Sequence, residues 1–292
     1  GCVSKSAVVN PSGKGLCCSM AKGELRIGLI SDTHYGIDYG YQAGSHCSRL
    51  LRCFLVAMDI FQPDLVVHLG DTFNNVSLSA DHACIQVVAE QLQELDCPVR
   101  FVAGNHDLYY LSREQFARAT RQTGCQVIEN VNGWPVLFLD TEEEEFTQVE
   151  KVQASIRALG RVNQCDVKPG EGNSEQGLAP MLVFSHRPLQ KIPLTDNKLF
   201  PPNEEQYVPW GRELIQCLLA NGLQPVCING HLHWNHFAVF SSCVQIAVPS
   251  LVDTWELGEP AASFGELTVN HDGLELNVRG KMPAHYWLPW LR

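Results

Sequence analysis

Five short clusters of potential metal ligands, each directly after an apolar run with strand character, constrain the fold of this chain more than any other feature. Because a rigid sheet aims the side chains at its strand ends toward a common point, we expect the clusters to meet in space. Two of their carboxylates, four of their histidines and one carboxamide offer enough oxygen and nitrogen ligands for two cations. The clusters are Asp32-Thr33-His34, Gly70-Asp71, Gly104-Asn105-His106-Asp107, Ser185-His186 and Gly230-His231-Leu232-His233.

Apolar periodicity in the first half of the chain predicts alternating strands and helices, a pattern typical of parallel strand pairing. In the last part, short strand-like runs follow one another closely and favour antiparallel hairpins, with a turn signal at Asn270-His271-Asp272-Gly273. This change of character indicates two sheets packed face to face with helices outside. Predicted strands cover residues 25–30, 65–69, 99–103, 126–129, 136–140, 226–228, 236–240, 244–248, 264–269 and 274–278, and predicted helices cover 49–61, 83–95, 113–123, 150–159 and 212–221.

The composition narrows the class of partner. The formal net charge is −11 and Lys and Arg form no cluster, so we expect no nucleic-acid partner. With 45% hydrophobic and 18% charged residues, the chain has the composition of a soluble globular protein. No apolar run approaches the ~20 residues that span a bilayer, and we identify no secretory signal. Twelve scattered cysteines without a C-x-x-C motif indicate reduced thiols, so we expect a cytoplasmic protein.

We expect a single domain over residues 23–292 behind a flexible N-terminal tail at residues 1–22. The tail starts Gly1-Cys2-Val3-Ser4-Lys5-Ser6, which resembles the beginning of a doubly acylated protein, but Lys5 stands where Ser or Thr is preferred. That departure counts against membrane anchoring. Irregular loops are expected near residues 161–179 and near residues 189–210. The second loop is rich in proline, and it is either a lid over a site or an inert surface excursion.

The residue types in the clusters also indicate which cations they suit. Asp and neutral His bind Mn, Fe or Zn well, while the absence of sulfur disfavours soft-metal sites. Alternate residues of an extended segment point the same way, so His231 and His233 can face one site, as can Asp32 and His34. A carboxylate that bridges two cations about 3.5–4 Å apart clamps the attacking and leaving oxygens of a displacement at phosphorus.

In this order, the motifs D-x-H, G-D, G-N-H-D, S-H and G-H-x-H resemble those of the calcineurin-like metallophosphoesterase superfamily. The resemblance spans residues 25 to 235, and the terminal hairpins also fit that family's fold. It implies an α/β fold of the four-layer αββα type, in which two mixed β-sheets pack face to face between flanking helices. It also implies a metal-dependent hydrolase that cleaves a small phosphomonoester or phosphodiester, such as a nucleotide.

The resemblance further implies seven ligands for two divalent or trivalent metal ions, Mn, Fe or Zn, and one proton donor. Hydroxide shared by the two ions would be the nucleophile, and His106 would be the leaving-group acid or a phosphate contact. The first ion would take Asp32, His34 and His233, the second would take Asn105, His186 and His231, and Asp71 would bridge both.

Two asparagines mark a departure from related subfamilies. Asn74 and Asn75 stand where serine/threonine phosphatases carry Asp and Arg, and Asn74 replaces the metal-binding Tyr of purple acid phosphatases. A protein phosphatase is therefore the less favoured alternative. A non-catalytic scaffold of the same fold, as in the retromer subunit, is a second alternative, disfavoured because no ligand is missing. We expect Asn74 to hydrogen-bond His106 as a weaker partner than a carboxylate would be.

Other polar residues have structural interpretations. We expect Asp107 to cap the helix that follows it rather than to act in catalysis. Arg187 either grips a substrate phosphate or forms a surface salt bridge. The aromatic segment from Tyr286 to Leu291 is expected to pack onto the sandwich. Histidines expected to be packed or hydrogen-bonded away from the site are His46, His68, His82, His236, His271 and His285.

Overall fold

The computed structural model of the protein describes residues 23–142, 149–156, 178–241 and 243–290. The predicted tail at residues 1–22 and nearly all of the predicted loop at 161–179 lie outside the described residues. The described strands are β1 Leu25–Ile30, β2 Leu65–His68, β3 Val99–Phe101, β4 Val127–Val131, β5 Trp134–Leu139, β6 Ala179–Ser185, β7 Leu223–Asn229, β8 His236–Val239, β9 Val244–Ala247, β10 Phe264–Val269, β11 Gly273–Arg279 and β12 Ala284–Pro289. The described helices are α1 Cys47–Phe61, α2 Leu78–Leu92, α3 Arg113–Ala119, α4 at residues 149–156 and α5 Gly211–Ala220.

The strands form two mixed sheets of six strands each. The first sheet has the order β12-β11-β10-β1-β2-β3, and the second has the order β4-β5-β6-β7-β9-β8. In the first sheet β1, β2 and β3 are parallel, and β10 pairs antiparallel with β1 on its other side. In the second sheet β5, β6, β7 and β9 are parallel. The first sheet is therefore parallel on the β3 side and antiparallel on the β12 side, whereas the second is parallel at the centre and antiparallel at both edges.

Three apolar clusters separate the layers. The central cluster lies between the sheets and includes Ile27 and Val67 from the first sheet and Phe184 and Ile228 from the second. A second cluster packs α1, α2 and α3 on the outer face of the first sheet, and a third packs α4 and α5 on the outer face of the second. Burying apolar side chains on both faces of each sheet stabilises this stacking. The predicted four-layer αββα sandwich of two mixed sheets is confirmed.

Local signals explain where some helices differ from their predicted bounds. The helix α2 starts five residues before the predicted position 83, because the Ser77 side chain accepts a hydrogen bond from the backbone nitrogen of Ala80. A capping box between Ser112 and Gln115 starts α3 at the predicted position. This helix ends at Ala119 rather than 123, and the Thr120 hydroxyl bonds back to the carbonyl of Phe116.

The C-terminal aromatic segment does pack onto the sandwich, but it also forms a strand that periodicity did not reveal. It pairs antiparallel with β11 as β12. Tyr286 stacks on Phe237, with ring centroids 5.2 Å apart, and Trp290 contacts Trp134 at 5.8 Å. The predicted turn before β11 is present, since Asn270 Oδ1 accepts a hydrogen bond from the Asp272 backbone nitrogen. Residues 189–210 form no strand or helix, as predicted. Among the described residues, no helix is both long and apolar enough to cross a membrane.

Candidate active site

The five clusters follow five strands whose carboxyl ends point to one edge of the sandwich. Asp32, Asp71 and Asn105 come after the parallel neighbours β1, β2 and β3 of the first sheet. His186 and His231 come after the parallel neighbours β6 and β7 of the second sheet. Because the carboxyl ends of parallel strands share an edge, each sheet presents its own side chains there. The packing of the two sheets then brings both sets together.

One group of side chains forms around His233. Its Nε2 atom lies 3.2 Å from Asp32 Oδ1 and 3.2 Å from His34 Nε2. His34 Nε2 in turn lies 4.0 Å from Asp71 Oδ2. The ligand atoms of Asp32, His34 and His233 all lie within 4.8 Å of one another.

A second group forms around His186. Its Nε2 atom lies 3.3 Å from Asp71 Oδ2, 3.2 Å from Asn105 Oδ1 and 3.2 Å from His231 Nδ1. The ligand atoms of Asp71, His186 and His231 also lie within 4.8 Å of one another. The same Asp71 oxygen thus faces both groups. The structure brings all seven predicted ligand residues together.

In both Asp32 and Asp71, one carboxylate oxygen accepts hydrogen bonds from the surrounding fold and the other faces the site. Asp32 Oδ2 accepts hydrogen bonds from the Ser31 hydroxyl and from the His231 backbone nitrogen, and Asp71 Oδ1 accepts one from the His106 backbone nitrogen. The other oxygen of each points into the site. Asp32 Oδ1 is buried and makes no hydrogen bond of good geometry. A buried carboxylate oxygen without a donor is costly unless a cation compensates it.

The remote nitrogen of each histidine lies within hydrogen-bond distance of an acceptor, so the other nitrogen faces the site. Ligand atoms that share a cation at ~2.0–2.2 Å stand about 3–3.5 Å apart. The contacts of His233 and His186 given above match this spacing, and the distance from His34 Nε2 to Asp32 Oδ1 is longer, at 4.0 Å. The residues present therefore fit two cations. The four acceptors are Asn74 Oδ1 for His34 (2.9 Å), the Leu69 carbonyl for His186 (2.8 Å), Gln206 Oε1 for His231 (2.7 Å) and Asp253 Oδ2 for His233 (2.7 Å).

The backbone at these positions is held in an unusual conformation. Nine non-glycine residues in the described ranges have φ between +39° and +62°, and five of them are predicted ligands. For residues with a Cβ this left-handed region costs on the order of 1 kcal/mol or more, so it persists only where surrounding contacts enforce it. Strained backbone of this kind is concentrated at functional sites. The five are Asp32, His34, Asp71, His231 and His233.

Burial and neighbouring charges have opposing effects on the pKa of each of these site residues. Burial alone would lower the pKa of His233, but the Asp32 carboxylate and a hydrogen bond to Asp253 outweigh it and raise that pKa to about 10. Burial likewise opposes protonation of His186, whose pKa Asp71 raises to about 9. In return, His233 lowers the pKa of Asp32 to about 2 against the effect of burial.

The other two histidines are neutral. Burial lowers the pKa of His34 to about 3 and the pKa of His231 well below its usual range. Both carboxylates are therefore charged near neutral pH, since His186 also holds the pKa of Asp71 well below its usual range despite burial. Negative oxygen and neutral imidazole nitrogen are the donors that Mn, Fe and Zn accept, so a bound cation would displace the protons of His186 and His233.

Two predicted contacts are wrong. Asn74 does not bond His106; its carbonyl oxygen accepts the hydrogen bond from His34 described above, and its amide donates to the Ile37 carbonyl at 3.1 Å. Asp107 does not cap α3, which Ser112 caps instead. Asp107 is buried and accepts hydrogen bonds from the backbone nitrogens of Thr72 and Gly104, both at 2.9 Å, so it joins the loops after β2 and β3.

His106 lies at the mouth of the site. Its ring contacts His34 edge-on, with centroids 5.0 Å apart, and its Nδ1 atom is buried without a hydrogen-bond partner. The Asn75 amide donates to the His106 carbonyl at 2.6 Å and fixes the backbone there. His106 therefore lies beside the ligand groups, and its Nδ1 atom makes no hydrogen bond.

Several residues around the site were not identified from the sequence. Asp253 follows β9 without a motif, and no local signal could have linked it to His233. Gln206 comes from the proline-rich loop at 189–210, which the sequence did single out. Of the two interpretations of Arg187, the structure has a salt bridge, in which Nε lies 2.8 Å from Glu142 Oε1. Its Nη1 atom also lies 3.0 Å from His231 Nε2.

Two of the histidines that were expected to be packed or hydrogen-bonded make such contacts. His68 is buried, bonds the Thr33 hydroxyl at 2.9 Å and stacks on Phe101. His285 pairs with Glu275 on the surface of the first sheet. These interactions satisfy the rings without a cation.

Comparisons with known proteins agree with this geometry. A family model described as calcineurin-like phosphoesterase matches residues 25–235. Metallophosphoesterase 1 of Rattus norvegicus is 24% identical over 258 residues, which cover 75% of this chain but 62% of the rat protein, so the chain spans less than two thirds of that relative. A probable cyclic nucleotide phosphodiesterase of Synechococcus sp. is 22% identical over 251 residues, covering 85% of this chain and 89% of the relative.

Among solved structures, a dimetal phosphatase from Danio rerio superposes with a TM-score of 0.67 at 15% identity. The superposition covers 91% of this chain and 99% of that chain. At this level of identity the likeness concerns the fold alone.

Proposed function

The chain belongs to the calcineurin-like phosphoesterase family, and on that premise we propose that it is a two-metal hydrolase of small phosphate esters. The observation that carries the proposal is the position of Asp71, whose Oδ2 atom lies 3.3 Å from His186 Nε2 and 4.0 Å from His34 Nε2. One carboxylate oxygen between two ligand groups is suited to bridging two neighbouring cations.

In this proposal the protein binds the cations, donates a proton to the leaving group and orients a metal ligand. Asp32, His34 and His233 hold one cation, and Asn105, His186 and His231 hold the other, with Asp71 shared. When bound, the two cations would activate water as a nucleophile and stabilise charge on the phosphoryl oxygens. His106 donates a proton to the leaving-group oxygen, because its ring lies beside the ligand groups and its Nδ1 atom has no hydrogen-bond partner. Asn74 keeps His34 in the tautomer that directs Nε2 inward.

The cations proposed are Mn, Fe or Zn, supported by a donor set of carboxylate, imidazole and amide groups without sulfur. As substrates we propose phosphomonoesters or phosphodiesters, nucleotides included. Relatives from Synechococcus and Pseudoalteromonas that carry the name probable cyclic nucleotide phosphodiesterase support the inclusion of cyclic nucleotides.

The direct test replaces the shared carboxylate. Asp71→Asn removes the charge at nearly constant volume, and we expect it to abolish hydrolysis of p-nitrophenyl phosphate and of bis-p-nitrophenyl phosphate. Asp59→Asn on the outer surface of α1 is the matched control and should keep wild-type activity. Elemental analysis after reconstitution should give two metal equivalents for the wild type. Full activity in Asp71→Asn would refute the assignment.

The same measurements of metal content and hydrolysis distinguish an enzyme from a non-catalytic scaffold. A protein that binds fewer than two equivalents and hydrolyses no phosphoester in a panel of monoesters, cyclic nucleotides and diphosphates would be a binding scaffold with the family fold. A protein phosphatase would instead cleave a phosphopeptide faster than nucleotides.

A further inference from the structure

A cavity of about 310 Å³ opens directly beside the ligand groups. One side is formed by His106 and Asn74, which belong to the candidate site, and by Asn75. The other residues that line the cavity are Ile37, Tyr39, Tyr109 and Tyr110. The cavity is therefore continuous with the site and large enough for a planar bicyclic ring.

The tyrosines of this cavity are unusually exposed. Tyr39 is 70% exposed, Tyr109 69%, Ile37 59% and Tyr110 46%. The rings of Tyr109 and Tyr110 contact each other edge-on, with centroids 4.8 Å apart. Neither tyrosine is needed to fill the core of the fold. A group of exposed aromatic and aliphatic side chains next to a site is typical of a ligand-binding surface.

The charge of the cavity limits what it can bind. None of the side chains that line it is Lys, Arg, Asp or Glu. A phosphate or carboxylate group would therefore find no lysine or arginine there. Tyrosine faces favour planar rings by stacking, and this preference tolerates different ring systems.

The position of the cavity decides which part of a substrate enters it. This step rests on the proposed function, which puts the phosphorus of the substrate at the ligand groups, and the cavity begins beside them at Asn74 and His106. A leaving group on that side therefore extends into the cavity. The oxygen of the attacking water bonds to phosphorus, the bond between phosphorus and the leaving-group oxygen breaks, and the leaving group departs with a proton that the water supplies.

We propose that the cavity of Tyr39, Tyr109 and Tyr110 binds an uncharged planar leaving group, of the nucleoside kind, on the phosphoester hydrolysed at the adjacent site. The cavity thereby distinguishes nucleotides and other aromatic esters from sugar and alkyl phosphates. Specificity would then come from the segment that follows Gly104-Asn105-His106-Asp107, in addition to the proline-rich loop.

The test uses equilibrium binding of adenosine, which needs no turnover, on the 292-residue chain. We expect wild-type protein to bind adenosine and not ribose in calorimetric titrations. Tyr109→Ala and Tyr110→Ala should weaken adenosine binding about 5- to 100-fold, the range found for removal of a stacking aromatic. Tyr109→Phe should retain binding. Trp287→Ala, which removes a 48% exposed aromatic from the distant strand β12, is the matched control and should have no effect.

Hydrolysis provides a second measurement. Adenosine 5′-monophosphate and ribose 5-phosphate share the same leaving oxygen, so their comparison isolates the base. The alanine variants should raise KM for the nucleotide with little change in kcat, and should leave ribose 5-phosphate unaffected. The melting temperature of each variant verifies that it is folded.

The outcomes separate this inference from the proposed function. If adenosine binds and the alanine variants lose it while no ester is hydrolysed, the cavity assignment stands and the proposed function fails. If esters are hydrolysed but wild type does not bind adenosine, or the alanine variants bind it as tightly as wild type, the cavity assignment is overturned.

Discussion

His233 Nδ1 lies 2.7 Å from Asp253 Oδ2, and this contact decides which nitrogen of His233 faces the site. With Nδ1 donating to Asp253, Nε2 is turned toward Asp32 and His34. The carboxylate also increases the electron density on the ring, which strengthens Nε2 as a ligand. Asp253 thus positions a predicted ligand without belonging to any of the five clusters.

Replacing Asp253 should therefore weaken cation binding without unfolding the protein. We expect Asp253→Asn to lower the affinity of the site around His233 by about 10- to 100-fold, as is usual for partners of metal-ligating histidines. Competition titration with a metal indicator measures this, and Asp59→Asn serves as the control. Unchanged affinity in Asp253→Asn would show that His233 is oriented by other contacts.

Gly104 should not tolerate a side chain. A Cβ at this position would overlap the carboxylate and the backbone nitrogen of Asp71. We expect Gly104→Ala to displace Asp71 and to reduce hydrolysis and metal content together. Gly124→Ala is the matched control, because its Cβ would have its nearest neighbour, the Gln126 carbonyl oxygen, 4.0 Å away. Equal activity of the two variants would contradict the close approach of the two loops.

Removal of the cations should lower thermal stability. The inward oxygen of Asp32 is buried and makes no hydrogen bond of good geometry, so a bound cation would compensate the cost of burying its charge. A ligand at ~100 times its Kd stabilises a protein by about 2.7 kcal/mol, and for a domain of this size each kcal/mol shifts Tm by about 2–4 °C. We therefore expect EDTA to lower Tm by ~5–10 °C.

The control for this measurement is the Asp71→Asn variant, whose Tm should respond less to EDTA. Adding back Mn should restore the wild-type Tm. A wild-type protein that loses its measured metal content to EDTA at constant Tm would contradict the expectation.

The cysteines should differ sharply in reactivity. None of the eight cysteines in the described ranges forms a disulfide. Burial, together with the charge of Asp140, raises the pKa of Cys125 to about 12, and burial also raises the pKa of Cys47. Since the thiolate is the nucleophile, iodoacetamide at mildly alkaline pH should label the exposed Cys53 and spare these two.

Peptide mass spectrometry measures the extent of labelling at each cysteine. Cys53→Ser should remove most of the fast labelling from the described part of the chain. Labelling of Cys47 in the native protein at the rate of Cys53 would indicate that α1 opens readily.

Much of the site could be predicted because its ligands occur in short motifs after strands, where local sequence determines both chemistry and position. The bounds of β1, for example, agree with the prediction at both ends. The partner of Asn74 could not be predicted, because the choice between His34 and His106 depends on how two loops from neighbouring strands approach each other.

Asp253 and β12 show a different limit of sequence reasoning. Asp253 contacts His233, which lies 20 positions earlier in the chain, and the segment around Asp253 has no apolar periodicity. In β12 most side chains are partly exposed, with burial alternating weakly, so its aromatic residues indicated packing rather than pairing. In both cases the missing information is the tertiary neighbour, which no local pattern contains.

The antiparallel pairing of β1 with β10 has a consequence for biosynthesis. All seven candidate ligands have been synthesised once His233 is translated, yet the strand that leads to Asp32 and His34 still lacks one of its two neighbours. Until Phe264–Val269 emerges, the nascent protein carries a full complement of ligands on a sheet with an open, apolar edge. Such an edge promotes aggregation, so premature termination after the last ligand would yield an insoluble product rather than a smaller enzyme.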